Sequence, residues 1–444
     1  MKRALSLMRK DADIIIKESI KAVDPICAVE KMVRITGDIL YVGNRKYNLK
    51  KINNIYIVGL GKASSQMAIP LEKILGKKLA GGIINTKYGH GAKLKKLKIN
   101  ECGHPVPDKN GLKGAGEICR FVERAGKNDI VFCLISGGGS ALFPLPAKGI
   151  SFRDKQKTTQ LLLKSGAAIQ EVNTVRKHIS AVKGGRLAKI ISPAKIISLI
   201  LSDVIGDDIA FIASGVTAPD PTTFLNCMEI MKKYKLQKSM PESVIKYIRE
   251  GLKKKALETP KPGDDAFKEV QNLVIGSNFA AAEAAAKKAE KLGYNALILS
   301  TIIEGETSQV AGVHAAIAKE ILMSNNPVKK PACVISGGET TVTIKGKGKG
   351  GRNMEFCLAC TGSISGCENI VISSVGTDGT DGPTDAAGAI VDSNSCAKAM
   401  KKKLMPLKYL DNNDSYNFFK KAGGLYITGP TGTNVMDIRV MLVK

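Results

Sequence analysis

The chain has 444 residues, 44% of them hydrophobic and 24% charged, with 45 glycines and a formal net charge of +27. That length suits two or three domains, two being the working number, and the composition excludes disordered and fibrous classes. No apolar run approaches the roughly 18 residues that a membrane span needs, which leaves a cytoplasmic location and no membrane partner as the expectation.

The excess of Lys and Arg raises the question of nucleic acid. Aromatic residues are only 5%, Trp is absent, and no RNA-binding or zinc-finger signature is present. Much of the charge is lysine scattered over helical stretches, as in KKAEK at Lys287 to Lys291. The expectation is a solvated basic surface that draws anionic small molecules and binds no specific nucleic acid.

In chain order, the start MKRALSLMRKDADIII breaks its apolar stretch with Arg9, Lys10 and Asp11. A strand is predicted over NIYIVGLG, ending at Gly61. The following VGLGKAS fails both nucleotide-loop tests. A Walker A loop would need Gly at Tyr56 and Ser or Thr at Ala63, and a dinucleotide fingerprint would need Gly at Ser64. What remains is Lys62, flanked by glycine at the carboxyl end of a strand, where a cation can hold phosphate or carboxylate. An ordinary surface lysine is the bland alternative.

Further strands are predicted over AGGIINT and DIVFCLISGGG. The second ends in Ser136, Gly137, Gly138, Gly139 and Ser140, a turn whose amides can approach an anion closely. HISAVKGGRLA then offers Lys183 and Arg186 beside two glycines. AKIISLILSDV is another strand, ending at Asp203, with Asp207 shortly after.

Gly251 to Phe267 holds a lysine run, two prolines and adjacent acids without apolar periodicity. It marks the domain boundary, giving an N-terminal Rossmann-like domain over 1–258 and a C-terminal domain over 259–444. Asn278 reads as the N-cap of an alanine-rich helix that Gly293 stops before the strand NALILST. PACVISGG repeats the apolar-then-SGG pattern, and Gly337, Gly338 and Glu339 join the candidate binding residues.

In IKGKGKGGRNMEF, Gly and Lys alternate, which suits a mobile loop that orders around phosphate, with Lys347, Gly350, Arg352 and Asn353 as its candidates. A disordered basic tip is the alternative reading. Past the strand NIVISSVG, Asp378, Asp381 and Asp385 are spaced by glycines, a set that suits magnesium carried by a nucleotide or else ordinary turns. Cys357, Cys360 and Cys367 lack the second pair that a zinc site needs, and most cysteines read as reduced core residues.

The alternating apolar strands and helical stretches indicate an α/β protein with mostly parallel, helix-covered sheets. Its ligands belong beyond the strands' carboxyl ends, and one SGG turn in each domain suggests an interdomain cleft that closes on an anionic substrate pair. Few histidines and no G-x-S-x-G elbow argue against a hydrolase triad.

Taken in order, GLGKAS, GHPVPD, LISGGGSALFPLPAKGIS, NTVRKHISAVKGGRLA, LSDVIGDD, SGVTAPDPTTF, SGGETTVTIKGKGKGGRNMEF, GTDGTDGPTDAAGAIVD and GPTGTNVMDIRVMLV resemble the glycerate 2-kinases of the MOFRL type. The resemblance runs from about Gly59 to the C-terminus. It implies ATP-dependent phosphorylation of D-glycerate at the 2-hydroxyl, with ATP and Mg²⁺ required, and places the family's functional lysine at Lys62 and arginine at Arg352. Asp203 or Asp207 would then orient the hydroxyl or hold magnesium, with Asp378 and Asp381 as further metal candidates. Val216, Met354 and Met436 stand where the family often has Pro, Gln and Asn. Alternatives are a hydroxypyruvate reductase, which would need the dinucleotide fingerprint that fails, and a basic nucleic-acid binder. A homodimer is left open.

Overall fold

The computed structural model describes residues 2–444, with side chains from Ala4 onward. Contacts divide it into two compact units. The N-terminal unit comprises residues 28–202 and 207–275, and the C-terminal unit comprises the chain up to Cys27, residues 203–206 and residues 276–444.

The N-terminal unit begins with a small antiparallel sheet, β1 (Val33–Thr36), β2 (Ile39–Val42) and β3 (Arg45–Asn48). Two-residue turns opening on Gly37 and Gly43, at φ +57° and +55°, give it the left-handed backbone that tight hairpins need. The main sheet is built from β4 (Ile55–Leu60), β5 (Leu79–Lys87), β6 (Leu97–Cys102), β7 (Ile130–Ile135), β8 (Lys195–Leu201) and β9 (Val270–Gly276), in the order β6-β5-β4-β7-β8-β9. The pairings among β4 to β8 are all parallel. Every residue of β4 and β7 is buried, as helix-covered parallel strands require.

Helices Phe152–Lys164, Ile169–His178, Phe224–Lys233 and Glu242–Lys253 gather around a second core of this unit that includes Leu162, Val175, Phe224 and Ile248.

The C-terminal unit holds β10 (Asn295–Ile303), β11 (Ala332–Gly338), β12 (Ile370–Gly376), β13 (Gly388–Asp392), β14 (Leu425–Tyr426) and β15 (Asp437–Val443), in the order β10-β11-β15-β12-β13-β14. Only the β10–β11 pairing is parallel. β15 runs antiparallel to both β11 and β12, and β13 runs antiparallel to β12 and β14. The α/β class holds, but the mostly parallel expectation does not extend to this sheet. Apolar runs reveal that a strand is buried, not which way its neighbour runs.

Two further differences have plain causes. The segment after residue 258 stays with the N-terminal unit up to Ile275 because β9 completes that sheet, and Gln271 bonds both the Tyr47 hydroxyl (2.7 Å) and the Val42 carbonyl (3.2 Å). The opening helix Lys2–Ala22 joins the C-terminal unit, where Met8, Ile15 and Ile16 pack with Ala281, Ala285, Ile335 and Leu442. Polar ties fix its register: Tyr294 and Tyr426 donate to Asp11 (2.7 Å) and Asp13 (2.8 Å), and Arg9 meets Asp392. The N-cap of helix Asn278–Lys291 is Ser277, not Asn278, whose amide instead donates to the carbonyls of Val435 and Asp437, 2.8 Å each.

Ile15 is fully buried in that interface. Ile15→Ala should cost roughly 2–5 kcal/mol, the range for a truncated core aliphatic. Hydrogen exchange should then show lost protection in helix Asn278–Lys291 and β15 and unchanged protection in β4 and β7. Equal loss in both units would contradict the assignment of this helix.

Candidate active site

In the N-terminal unit the ends of β4 and β7 are bonded to one another. The Lys62 amide donates to the Gly137 carbonyl (2.9 Å), the Ser136 amide to the Leu60 carbonyl (3.1 Å), and the Ala63 amide to Ser136 Oγ (3.0 Å). Gly61 is at φ +136°, and a Cβ there would lie 2.2 Å from Ser136 Oγ. The two glycine turns therefore fit only as a pair. Gly138, at φ +80°, faces the rings and stems beside it: a Cβ would come within 2.8 Å of the His104 ring and 3.4 Å of Lys62 Cγ.

Lys62 thus sits beside the Ser136–Ser140 turn, with His104 across from it and His90 Nδ1 3.2 Å from the Lys62 carbonyl. Burial, with Lys62, Lys87 and His90 nearby, pulls the His104 pKa down to about 4. The imidazole is neutral at ordinary pH.

Within the turn, the Ser136 and Gly139 amides are engaged by the protein itself, Gly139 donating to the Ser136 carbonyl (3.2 Å). The amides of Gly137, Gly138 and Ser140 take no part in the turn's own bonding and are the three that could face an anion. On its other side the turn meets cations. Ser140 Oγ accepts from Arg176 and from Lys183 Nζ (3.0 Å), and Lys183 also donates to the Ser140 carbonyl (2.9 Å). Burial, then the nearby Arg176 and Lys155, pulls the Lys183 pKa well below its usual value.

Arg186, predicted to join Lys183, turns away to the Leu257 carbonyl (2.7 Å) and is a strut to the helical part of this unit. The reason is local: Gly184 and Gly185 are both left-handed, at φ +57° and +78°, so the chain reverses between the two cations.

The C-terminal unit centres on Arg352, the first residue of helix Arg352–Ser363. Its Nε and Nη2 meet the two oxygens of Asp437 at 2.7 and 3.0 Å, and Nη1 meets Glu339 at 2.7 Å. Asn353 donates to the same Asp437 carboxylate (2.9 Å). Burial works against the guanidinium charge, but these acids more than restore it and hold the pKa above its usual value. Burial raises the Glu339 carboxyl, Arg352 opposes that, and the negative charges of Asp437, Asp203 and Asp378 add to it.

Gly337 and Gly338 end β11 against this cluster, where a Cβ on Gly337 would overlap Asn278 and one on Gly338 would strike Ile303. Of the predicted residues, Arg352, Asn353, Glu339, Gly337, Gly338 and Asp381 are brought together, and Asp203 and Asp378 contribute through their charge.

Asp381 is not placed as a metal ligand. Its oxygens accept the amides of Asn353 (3.1 Å) and Met354 (2.8 Å), so it caps the arginine's helix. Burial lifts its pKa to about 7 against the pull of those amides. Asp378 Oδ1 accepts from the amide and hydroxyl of Thr380, and Asp385 accepts from Tyr416. In the N-terminal unit Asp207, at φ +56°, has a buried Oδ1 without a hydrogen-bond partner.

Among the described residues no group of three or more His, Cys, Asp or Glu side chains could hold a metal ion. The donor set does fit a magnesium that arrives with its ligands mostly supplied by phosphate and water.

The glycine–lysine segment is docked, not loose. The amides of Lys345 and Gly346 donate to Asn413 Oδ1, those of Lys347 and Lys349 to Asn412 and Asp414, and Gly348 to the Asn412 carbonyl. A Cβ on Gly346, Gly348 or Gly350 would strike Asn412, Asp414 or Ser415. The alternation is that of an extended segment whose glycine face lies flat on residues 412–415 while Lys345, Lys347 and Lys349 are exposed.

With this geometry in hand, similarity to known proteins is informative. The MOFRL family model matches residues 332–437, and a model described as a domain of unknown function (DUF4147) matches residues 11–249. A glycerate 2-kinase of Pyrococcus horikoshii is 46% identical over 430 residues, covering 97% of this chain and 96% of its own. The chain belongs to the MOFRL-type glycerate 2-kinase family. A D-glycerate 2-kinase of Thermotoga maritima is 43% identical over 438 residues, covering 98% of each chain. The crystal structure of a glycerate kinase from Thermotoga maritima superposes with a TM-score of 0.89 at 42% identity, covering 99% of this chain and 100% of that one. An Agrobacterium vitis relative, 42% identical over 389 residues, bears a hydroxypyruvate reductase name, given there only provisionally.

Within this family two of the three departures are accommodated without strain. The Val216 carbonyl accepts the Ala188 amide, and Met354 is buried under Asp381. Met436 is left-handed at φ +69°, a conformation where Asn is at ease and Met is strained. Sequence reasoning missed His104, Arg176 and Asp437. The signal for Asp437 was present, an acid opening a continuous apolar strand just as Asp203 closes one.

A lowered histidine pKa has a stability consequence. Between about 4 and 6.5 the unfolded chain binds the proton that folded His104 refuses, so its contribution is complete above 6.5 and is lost as pH falls toward 4. The urea midpoint should drop across that window less steeply in His104→Asn than in the parent. Equal slopes would show that the imidazole is not held neutral.

Proposed function

We propose that this chain transfers the γ-phosphoryl group of ATP to the 2-hydroxyl of D-glycerate, giving 2-phosphoglycerate and ADP. The observation that carries this is near-full-length identity of 46% and 43% with glycerate 2-kinases, with Lys62 and Arg352 standing at the carboxyl ends of buried strands. In the reaction the hydroxyl oxygen bonds to the γ-phosphorus, the bond from that phosphorus to the ADP oxygen breaks, and the hydroxyl proton leaves to a base. Asp203 is the proposed acceptor.

Phosphoryl transfer asks a protein mainly for positioning and charge neutralisation. Lys62 is a cation beside a turn with three uncommitted amides, and Arg352 is an arginine clamped in one orientation by Asp437. The arginine need not reorganise when negative charge gathers on the transferred phosphoryl oxygens, which is where fixed donors are most effective. Magnesium would enter with the nucleotide and screen its phosphates, with Asp378 as its proposed protein contact.

The reductase reading rests on the provisional names of two Agrobacterium vitis relatives. Ser64 occupies the position of the third fingerprint glycine, and its hydroxyl closes back on the Gly61 carbonyl at 2.7 Å, where a dinucleotide turn needs open backbone.

The test is ADP release with D-glycerate, ATP and Mg²⁺, the product read by ³¹P NMR. Lys62→Ala and Arg352→Ala should each lower kcat by roughly 10²-fold or more. Asp437→Asn should lower it too, because it frees the arginine fork. Hydroxypyruvate-dependent NADH oxidation without ADP release would overturn the kinase reading, and folded variants with unchanged turnover would overturn the residue roles.

A further inference from the structure

The N-terminal unit gathers three cations, two of them buried. Lys183 is 1% exposed and Lys155 6%, Arg176 is half-buried beside them, and each lysine feels the arginine's charge. Among the described residues none of the three lies within ion-pair distance of a carboxylate. Their neighbours do: Lys177, next to Arg176 on the same helix, meets Asp220 at 3.4 Å, and His178 meets Glu258 at 2.8 Å. Removing cations from water without an anion is unfavourable, and folds retain such groups where something else repays them.

Structural need does not account for the cluster. Lys155 donates to the Leu145 carbonyl at 2.8 Å, yet that oxygen already accepts from the Ala181 amide (3.1 Å) and the Ser180 hydroxyl (3.0 Å). Arg176 has five N–H donors and directs one hydrogen bond to Ser140 Oγ. With Arg176 and Lys183 both donating to Ser140 Oγ, the hydroxyl's own proton is directed to Ser214 Oγ at 2.8 Å. Ser214 is held there by strained backbone, Ala213 and Ser214 being left-handed at φ +50° and +61°. The result is a fixed hydroxyl at the floor, an arginine fork with donors to spare, and positive charge behind it.

We propose that Arg176, backed by Lys183 on Ser140, is the seat of the acceptor's carboxylate, so that this cluster selects a 2-hydroxy acid over a neutral alcohol. The inference rests on the kinase reading above. A planar group with two oxygens matches one guanidinium edge, and a seat closed behind by two buried lysines suits a compact anion better than a triphosphate chain. Lys155 strengthens the field without touching the ligand.

The experiment measures KM for D-glycerate and for ATP separately, together with calorimetric binding of D-glycerate alone, in the parent, Arg176→Ala and Arg176→Lys. Arg176→Ala should raise the glycerate KM and weaken glycerate binding roughly 10- to 100-fold, the scale of a lost charged hydrogen bond, with the ATP KM unchanged. Arg176→Lys, which keeps the charge and loses the fork, should fall between, and the preference for D-glycerate over glycerol should shrink in both.

Lys155→Met should weaken glycerate binding while leaving the ligand-free melting temperature equal or higher, since a purely structural lysine would lower it. A rise in the ATP KM instead would make the cluster a phosphate seat and overturn the proposal, as would unchanged constants in both arginine variants. Those outcomes leave the kinase reading standing. A parent protein that neither binds nor phosphorylates D-glycerate would overturn that reading, and this inference with it.

Discussion

The carboxylate of Asp437 organises the C-terminal unit. It is fully buried, yet it receives two bonds from Arg352 and one from Asn353. Its position follows from strand direction. β15 runs against both its neighbours, so its first residue lies where β11 and β12 end, opposite Gly338 and Gly376. A parallel strand in the same place would have brought its last residue there instead. The glycine turn of β11, the helix opening at Arg352 and the Asp381 cap are all arranged around that one acid.

The two units handle buried charge in opposite ways. Around Arg352 the charges nearly balance: Asp437 and Glu339 pair with it, and Arg439, itself buried, lies 3.5 Å from Asp437. Around Ser140 the balance is left positive, with Lys155, Arg176 and Lys183 close together and no carboxylate among the described residues to answer them. A balanced cluster holds its arginine in place and changes little when a ligand comes. An unbalanced one stays unfavourable until an anion arrives. Orientation is the natural task of the first arrangement and recognition that of the second.

Much of this was legible in the residues, where the cause is local. Continuous apolar runs announced β4, β7, β8, β11 and β12, and the glycines after β4 and β7 marked the turns that only glycine can make. Lys62, Lys183 and Arg352 stood out because each is a cation beside such a turn. What was not legible depends on partners distant in the chain. The helix Lys2–Ala22 packs on residues more than 250 positions away, and β15 chooses its direction only against β11 and β12. Arg176 lies in a run of three basic or titratable residues, RKH, and nothing in that run tells which one meets no carboxylate. The glycine–lysine segment misled for a related reason: its period of two belongs to an extended chain pressed on a flat surface, but that surface, Asn412 to Ser415, is supplied from elsewhere.

That docked segment also bears on handling of the protein. Lys345, Lys347 and Lys349 are exposed and look like open invitations to trypsin, but a protease must draw several residues of backbone out of the fold and into its own cleft before it can cut. Here the amides of all three lysines are held by Asn413, Asn412 and Asp414, and the glycines between them have no room to lift without breaking those bonds. A lysine-rich stretch of a strongly basic chain is thereby built to survive limited digestion that its sequence alone invites.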